Sequence, residues 1–245
     1  MISVSSANRL TAITLDRPDK RNALNVELCR AVAGAVREAV ADDARALVLT
    51  GTGSSFCSGA DLDAVYDQGF REALYEMLCT VTEAPLPVIA AVNGPAIGAG
   101  TQLAIAADLR VVAPAAVFAV PTAKLGLAVD PWTIRRLGLL AGNGVARQLL
   151  LGCERLSAER ALACGLADRA GSLDDARAWA AQMVDLAPLT VGYNKMVLNH
   201  VFEPSFGPLV DKELFAAFEG CWSSEDLREG QRARAERRPP RFQGR

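Results

Sequence analysis

Two continuous apolar runs, Arg45 to Thr50 (RALVLT) and Leu86 to Val92 (LPVIAAV), constrain the fold more than any other feature of this sequence. Neither alternates apolar with polar residues. Each therefore reads as a strand covered on both faces, the state of strands in a parallel sheet flanked by helices. Helical periodicity runs over Val26 to Ala41 before the first strand and, more loosely, over Leu62 to Val81 between the two. Leu10 to Asp16 (LTAITLD) alternates as a strand does, and Arg17 to Asn25 is a loop rich in Pro, Asp and Asn. A helix over Ala99 to Ala107 and short strands at Arg110 to Ala113 and Val117 to Val120 continue the alternation. Strand–helix–strand order of this kind implies crossover units and mostly parallel pairing, hence an α/β fold.

After Pro131 helices dominate: Pro131 to Leu140, Val145 to Leu151, Ser157 to Cys164, Leu173 to Asp185, Thr190 to Phe202, Leu209 to Trp222 and Glu225 to Arg237. Ser157 with Glu159, and Ser224 with Glu225 and Asp226, read as capped helix starts. The sequence contains no internal repeat or linker. A chain of 245 residues, 51% hydrophobic, suffices for one large α/β core with a helical appendage. We divide it into a core of residues 1–190 and a helical C-terminal region of residues 191–245.

A net charge of -2 gives no global attraction to nucleic acid or to an anionic membrane. The C-terminal arginines (Arg228, Arg232, Arg234, Arg237, Arg238, Arg241) interleave with Glu225, Asp226, Glu229 and Glu236, as ion pairs on a helix surface do. No basic residues interleave with aromatics, which argues against a nucleic-acid surface. No apolar stretch approaches the roughly 20 residues that span a bilayer. The first residues, MISVSSANRL, show no secretory signal. Six cysteines form no C-x-x-C pair, and the lone His200 cannot complete a zinc site with them. These features predict a cytoplasmic, reduced, metal-free protein.

Two loops after the buried strands are rich in glycine: Phe56-Cys57-Ser58-Gly59-Ala60-Asp61 and Asn93-Gly94-Pro95-Ala96-Ile97-Gly98-Ala99-Gly100. In open α/β sheets, ligands gather at the carboxyl ends of strands. Each loop leads into a helix, whose first N–H groups are unpaired. Two such ends converging would stabilise an oxyanion. The same glycines also suit plain tight turns, and composition leaves both readings open.

The segments F-C-S-G-A-D-L and V-N-G-P-A-I-G-A-G-x-Q-L-A-x-A-A-D-L-R resemble the two oxyanion-loop signatures of the crotonase (enoyl-CoA hydratase/isomerase) family. R-P-D-K-R-N-A-L-N (Arg17 to Asn25) resembles its N-terminal CoA loop. K-L-G-L and R-R-L (Lys124 to Leu137) resemble its second active-site segment. L-S-A-E-R-A-L-A-C-G-L-A (Leu156 to Ala167) and E-D-L-R-E-G (Glu225 to Gly230) match its C-terminal helices. The resemblance implies the ClpP-like fold of repeated ββα units, with a helical C-terminal trimerisation region and a homotrimer or homohexamer. It implies an acyl-CoA ligand, with coenzyme A as part of that ligand and no separate cofactor or metal. It places the oxyanion-hole donors at the N–H groups of Ala60 and Ala99. It makes Lys20, Arg21, Ala23, Ser58, Ala60, Asp61 and Leu62 the CoA-binding positions. The C-terminal helices of a neighbouring subunit approach the CoA adenine in that family, with Lys212, Phe218 and Trp222 as contributors here.

The departures matter as much. Where the family's hydratases carry two glutamates, this sequence has Gln102 and Thr122. Hydration needs a base to activate water and an acid to protonate carbon. An amide and an aliphatic hydroxyl supply neither near neutral pH. Each lost acid/base group costs about 10²–10⁴-fold in rate. The expectation is an acyl-CoA-binding protein of lipid metabolism without hydratase activity. The alternative is an isomerase or hydratase-like enzyme of altered mechanism built on Asp130, which matches an aspartate of the family's dienoyl-CoA isomerases. Asp130 followed by Pro131 is equally the signature of a helix N-cap. Trp132 stands where hydratases usually have a small residue, so it either lines the acyl pocket or packs in the core. Val65, Tyr66, Phe70, Leu74, Tyr75 and Leu78 suit either an acyl pocket or plain packing.

Overall fold

The computed structural model describes residues 1–61, 68–202 and 212–244. Among these the chain forms nine strands and ten helices. The first half runs β1 (Ile2–Ala7), β2 (Leu10–Leu15), α1 (Val26–Ala41), β3 (Ala46–Gly51), α2 (Gln68–Glu83), β4 (Val88–Val92), β5 (Pro95–Ile97), α3 (Ala99–Ala106), β6 (Leu109–Val112) and β7 (Val117–Ala119). The second half runs α4 (Pro131–Ala141), α5 (Asn143–Leu150), β8 (Arg155–Ser157), α6 (Ala158–Cys164), β9 (Arg169–Ala170), α7 (Leu173–Val184), α8 (Pro188–Phe202), α9 (Lys212–Ser223) and α10 (Glu225–Ala235). The helix expected from Leu62 is described from Gln68, and residues 62–67 lie outside the described ones.

One sheet has the order β1-β2-β3-β4-β6-β9, with β1 antiparallel to β2 and every other neighbour parallel. A smaller sheet has the order β5-β7-β8. The larger sheet is covered on both faces, which is why β3 and β4 read as unbroken apolar runs. Alternate residues Ile13, Leu47, Leu49, Val88, Ala90 and Val112 enter the main core beneath α1, α2 and α3. Their neighbours Ala12, Ala46, Val48, Ile89, Ala91 and Val111 enter a second cluster with Ala176 and Ala180 of α7.

Strand β1 was not anticipated, because its side chains past Ile2 are exposed and polar residues break the alternation. It is an edge strand, returned by a turn in which Asn8 and Arg9 both have positive φ, 52° and 60°. β5, β8 and β9, of three, three and two residues, were too short to leave a period.

Two buried cations tie the helical half to the sheet. Arg110 of β6 is 1% exposed, and its guanidinium donates to the carbonyls of Leu166, Ala107 and Asp108 and to Asp168. Lys195 of α8 donates from Nζ to Asp108 Oδ2 (2.8 Å) and to the Leu86 carbonyl (3.1 Å). The division drawn at residues 190/191 falls within the first turn of α8. No helix among the described residues is long and apolar enough to cross a membrane, and no group of three or more His, Cys, Asp or Glu among them could hold a metal ion.

Candidate functional site

The two glycine-rich loops lie against each other as a short parallel pairing. Cys57 and Ala96 form an isolated bridge. Cys57 N donates to the Pro95 carbonyl (3.1 Å), and Ile97 N donates to the Cys57 carbonyl (3.0 Å). The approach depends on glycine at two points. A Cβ at Gly59, whose φ is +102°, would stand 2.8 Å from the Ile97 oxygen. A Cβ at Gly100 would overlap the Cys57 carbonyl oxygen. The helix that follows, α3, is buried at all eight positions, and its small residues let it sit this close.

The pairing leaves two donors over. Asp61 N donates to the Leu24 carbonyl and Gly98 N to the Ala119 carbonyl. Neither the Ala60 N–H nor the Ala99 N–H has an acceptor among the described residues. Ala60 and Ala99 both line one cavity of about 130 Å³. Ala99 is also the first residue of α3, where an unpaired N–H and the positive end of the helix dipole coincide.

The remaining walls come from distant parts of the chain. Phe70, Leu74 and Tyr75 of α2 form an apolar side, as do Leu125, Leu127 and Val129 on the other. Leu78, by contrast, is fully buried in the core. Val65 and Tyr66 lie outside the described residues. Thr122 and Gln102 both reach the cavity. Trp222 of α9 and Arg234 of α10 also line it, so the C-terminal helices that cover the cavity belong to the same chain. Arg71 sits between the rings of Phe218 (5.5 Å) and Trp222 (5.2 Å) and pairs with Glu219 (3.1 Å). Arg71 and Arg234 were not anticipated here, since their spacing along the chain carries no period.

Asp130 caps α4: its Oδ1 accepts from Thr133 N (2.9 Å). Its Oδ2 accepts from the Thr133 hydroxyl (2.7 Å) and from Gln102 Nε2 (2.9 Å). Gln102 Nε2 also donates to Thr133 Oγ1 (2.7 Å), closing a triangle of three side chains. Burial pushes the Asp130 carboxyl above the usual carboxylate range, while hydrogen bonds from Thr133 oppose that shift. Every group facing it is a donor, which is the arrangement an ionised carboxylate requires. Asp130 is 6% exposed and does not line the cavity, although Ala128 and Val129 beside it do. Among the described lining residues there is no Asp or Glu.

Trp132 is buried in the main core with the Arg136 guanidinium 5.7 Å from its ring, and it does not line the cavity. It is the second residue of α4, just past the cap that faces Gln102, and its ring turns into the packing between helices.

The N-terminal loop is stitched to the first glycine-rich loop. Ser58 N donates to the Arg21 carbonyl (3.0 Å), and the Ser58 hydroxyl donates to the Lys20 carbonyl (3.3 Å). Asn22 Nδ2 bonds the carbonyls of Thr52 and Ser55 (2.9 Å each), and Arg17 pairs with Asp61 (3.1 Å). Lys20 and Arg21 are exposed beside Ser58, a cavity residue, whereas Ala23 is buried. Leu62 and the side chain of Lys212 lie outside the described residues. Cys57 is sealed beneath the loop, and burial pushes its thiol up to about 12, so it is no nucleophile near neutral pH.

The family model described as Enoyl-CoA hydratase/isomerase matches residues 5–245. A protein of Mycobacterium bovis, "Probable enoyl-CoA hydratase echA6", is 48% identical over 245 residues, covering 100% of both chains. The "Carnitinyl-CoA dehydratase" of Salmonella paratyphi A is 35% identical, over 95% of this chain and 94% of that one. The crystal structure of an enoyl-CoA hydratase/isomerase from Pseudoalteromonas atlantica T6c superposes with a TM-score of 0.87 at 30% identity, covering 99% of each chain.

Proposed function

Because the chain belongs to the enoyl-CoA hydratase/isomerase family, the crotonases, we propose that it binds acyl-CoA thioesters and does not hydrate them. The observation that carries this reading is a cavity with two unpaired backbone N–H groups and no carboxylate among its described lining residues. The N–H groups of Ala60 and Ala99 suit the thioester carbonyl. Lys20 and Arg21, exposed at the rim, suit the CoA phosphates, with Ser58 and Asp61 holding that rim in place. Arg71 and Arg234, the charged lining residues, are both cations. Coenzyme A enters as part of the ligand, and the chemistry needs no metal.

Hydration would have to proceed with Gln102 and Thr122 at the glutamate positions. Two missing acid/base groups, at about 10²–10⁴-fold each, leave no useful rate. The alternative of proton transfer by Asp130 fits less well. That carboxylate is held in the triangle with Gln102 and Thr133, behind the cavity wall. The test is incubation with 2-enoyl-, 3-enoyl- and dienoyl-CoA in D₂O, with binding followed separately. We expect binding without water addition, bond migration or deuterium entry. Water addition overturns the reading. Deuterium entry that Asp130→Asn abolishes restores the Asp130 mechanism.

The reading includes a cytoplasmic homotrimer or homohexamer. Leu189, Tyr193 and Met196 of α8 are 88%, 61% and 53% exposed and share one side of the helix, an apolar face suited to a second copy. Sedimentation showing a stable monomer would reject the oligomer.

A further inference from the structure

We propose that this site selects acyl-CoA thioesters whose acyl group ends in a carboxylate, and that Arg234 is the residue that holds that carboxylate. The inference rests on the thioester-binding reading above and goes beyond it by naming the ligand class.

The arginines of α10 and its tail are not alike. Glu229 accepts from Arg238 and pairs with Arg232 at 3.4 Å, and Glu236 pairs with Arg238. Asp226 takes the backbone N–H groups of Gln243 (2.6 Å) and Gly244 (2.8 Å). These carboxylates are engaged by α10 itself and by the tail behind it. Arg234 makes no ion pair and no side-chain hydrogen bond among the described residues. It lines the cavity instead.

Packing explains why Arg234 turns that way. A Cβ at Gly230 would overlap the Leu125 carbonyl oxygen, so α10 touches the segment Pro121–Leu125 at that turn. Arg234 follows Gly230 by four residues and shares its face. A helical side chain leans over the turn N-terminal to its own Cα, which here is the turn resting on Leu125. Thr122 and Leu125 also line the cavity. The guanidinium therefore stands at the wall of Thr122, whereas Lys20 and Arg21 stand at the rim of Ser58.

Arg71, the other lining cation, is already engaged by Glu219 and by the rings of Phe218 and Trp222. Trp222 adds a donor, because its indole N–H is buried and has no acceptor among the described residues. The cavity thus offers donors at two places: the N–H groups of Ala60 and Ala99, and the wall of Arg234 and Trp222. A simple acyl thioester has one acceptor, its carbonyl, and leaves the second place facing hydrocarbon. A terminal carboxylate fills it. A guanidinium binds a carboxylate through two parallel hydrogen bonds, and lone pairs remain for an indole N–H. No Asp or Glu among the described lining residues competes for Arg234.

The test is calorimetric binding of thioesters in pairs of equal length: butyryl- with succinyl-CoA, hexanoyl- with adipoyl-CoA, and octanoyl- with suberyl-CoA. We expect the diacid member of at least one pair to bind wild type about tenfold tighter, the scale of a hydrogen bond to a charged group. Arg234→Gln should erase that difference between the members of the pair. If the variant does not fold, the wild-type series decides the ligand class by itself. No diacid gain at any length overturns the proposal. A gain that survives Arg234→Gln, or a variant that weakens both members equally because the arginine holds a CoA phosphate, overturns the role of Arg234. Each of these outcomes leaves thioester binding standing. Binding of none of the thioesters overturns both.

Discussion

Gly100→Ala should lower the affinity for octanoyl-CoA by about tenfold or more, the scale of a lost hydrogen bond to the neutral thioester carbonyl. The added methyl overlaps the carbonyl oxygen of Cys57, a backbone atom already accepting from Ile97 N. No side chain can swing aside to relieve the clash, so the loops must part. Parting them moves the Ala99 N–H away from the Ala60 N–H, and the pair of donors ceases to converge. Overpacking of this kind also costs about 1–3 kcal/mol of stability. Circular dichroism at low temperature checks that the variant remains folded, and titration calorimetry reads the affinity. Gly144→Ala in α5 is the control, since a methyl there meets nothing within 4 Å. A Gly100→Ala protein binding within about threefold of wild type would show that the convergence of the loops is unimportant.

Arg110→Met should destabilise the fold by about 3–5 kcal/mol, the cost of breaking a buried ionic network from one side. The substitution keeps the buried stem and removes the donors on which the Leu166, Ala107 and Asp108 carbonyls depend. The Asp168 carboxylate, 27% exposed, can turn to water, so the penalty comes chiefly from the carbonyls. A melting temperature lower by about 10 °C or more is expected for a chain of this size. Arg37 makes a shorter ion pair, 2.7 Å to Glu76, but both side chains are about half exposed, at 55% and 49%. Arg37→Met should therefore cost no more than about 1 kcal/mol. Equal losses at the two positions would refute the claim that burial sets the value of these arginines.

How much was legible beforehand depends on the range of the interaction. β3 and β4 announced themselves because both faces of each strand are covered. α1 did so through the periodic stripe that includes Leu28, Val32, Val36 and Ala39, and the structure adds Asn25 as its cap. The glycine-rich loops were legible as a motif, and the structure adds their backbone pairing. Asp130 was legible as a helix cap because a cap is a local event, three residues wide. Its bond to Gln102, 28 residues away, was not. Nor was the arrival of Arg234 at the cavity, or of Trp222 from the same chain, since the family resemblance implied Trp222 near the CoA adenine from a neighbouring subunit. Trp132 could be read as pocket or core until the turn of α4 placed it in the core.

The covering of the cavity by its own chain's last helices has a consequence for how the protein is made. The loops of Ala60 and Ala99 belong to the first half of the sequence, and the sheet that carries them pairs largely within that half. Domains emerge from the ribosome N-terminal part first, at about 5–20 residues per second. Arg234 lies on α10, far later in the sequence than either loop, so it is made after them. The nascent chain thus exposes the floor of its site for seconds before the roof exists. The loops alone cannot enclose a thioester, and the site can hold one only after α9 and α10 have been made and have docked.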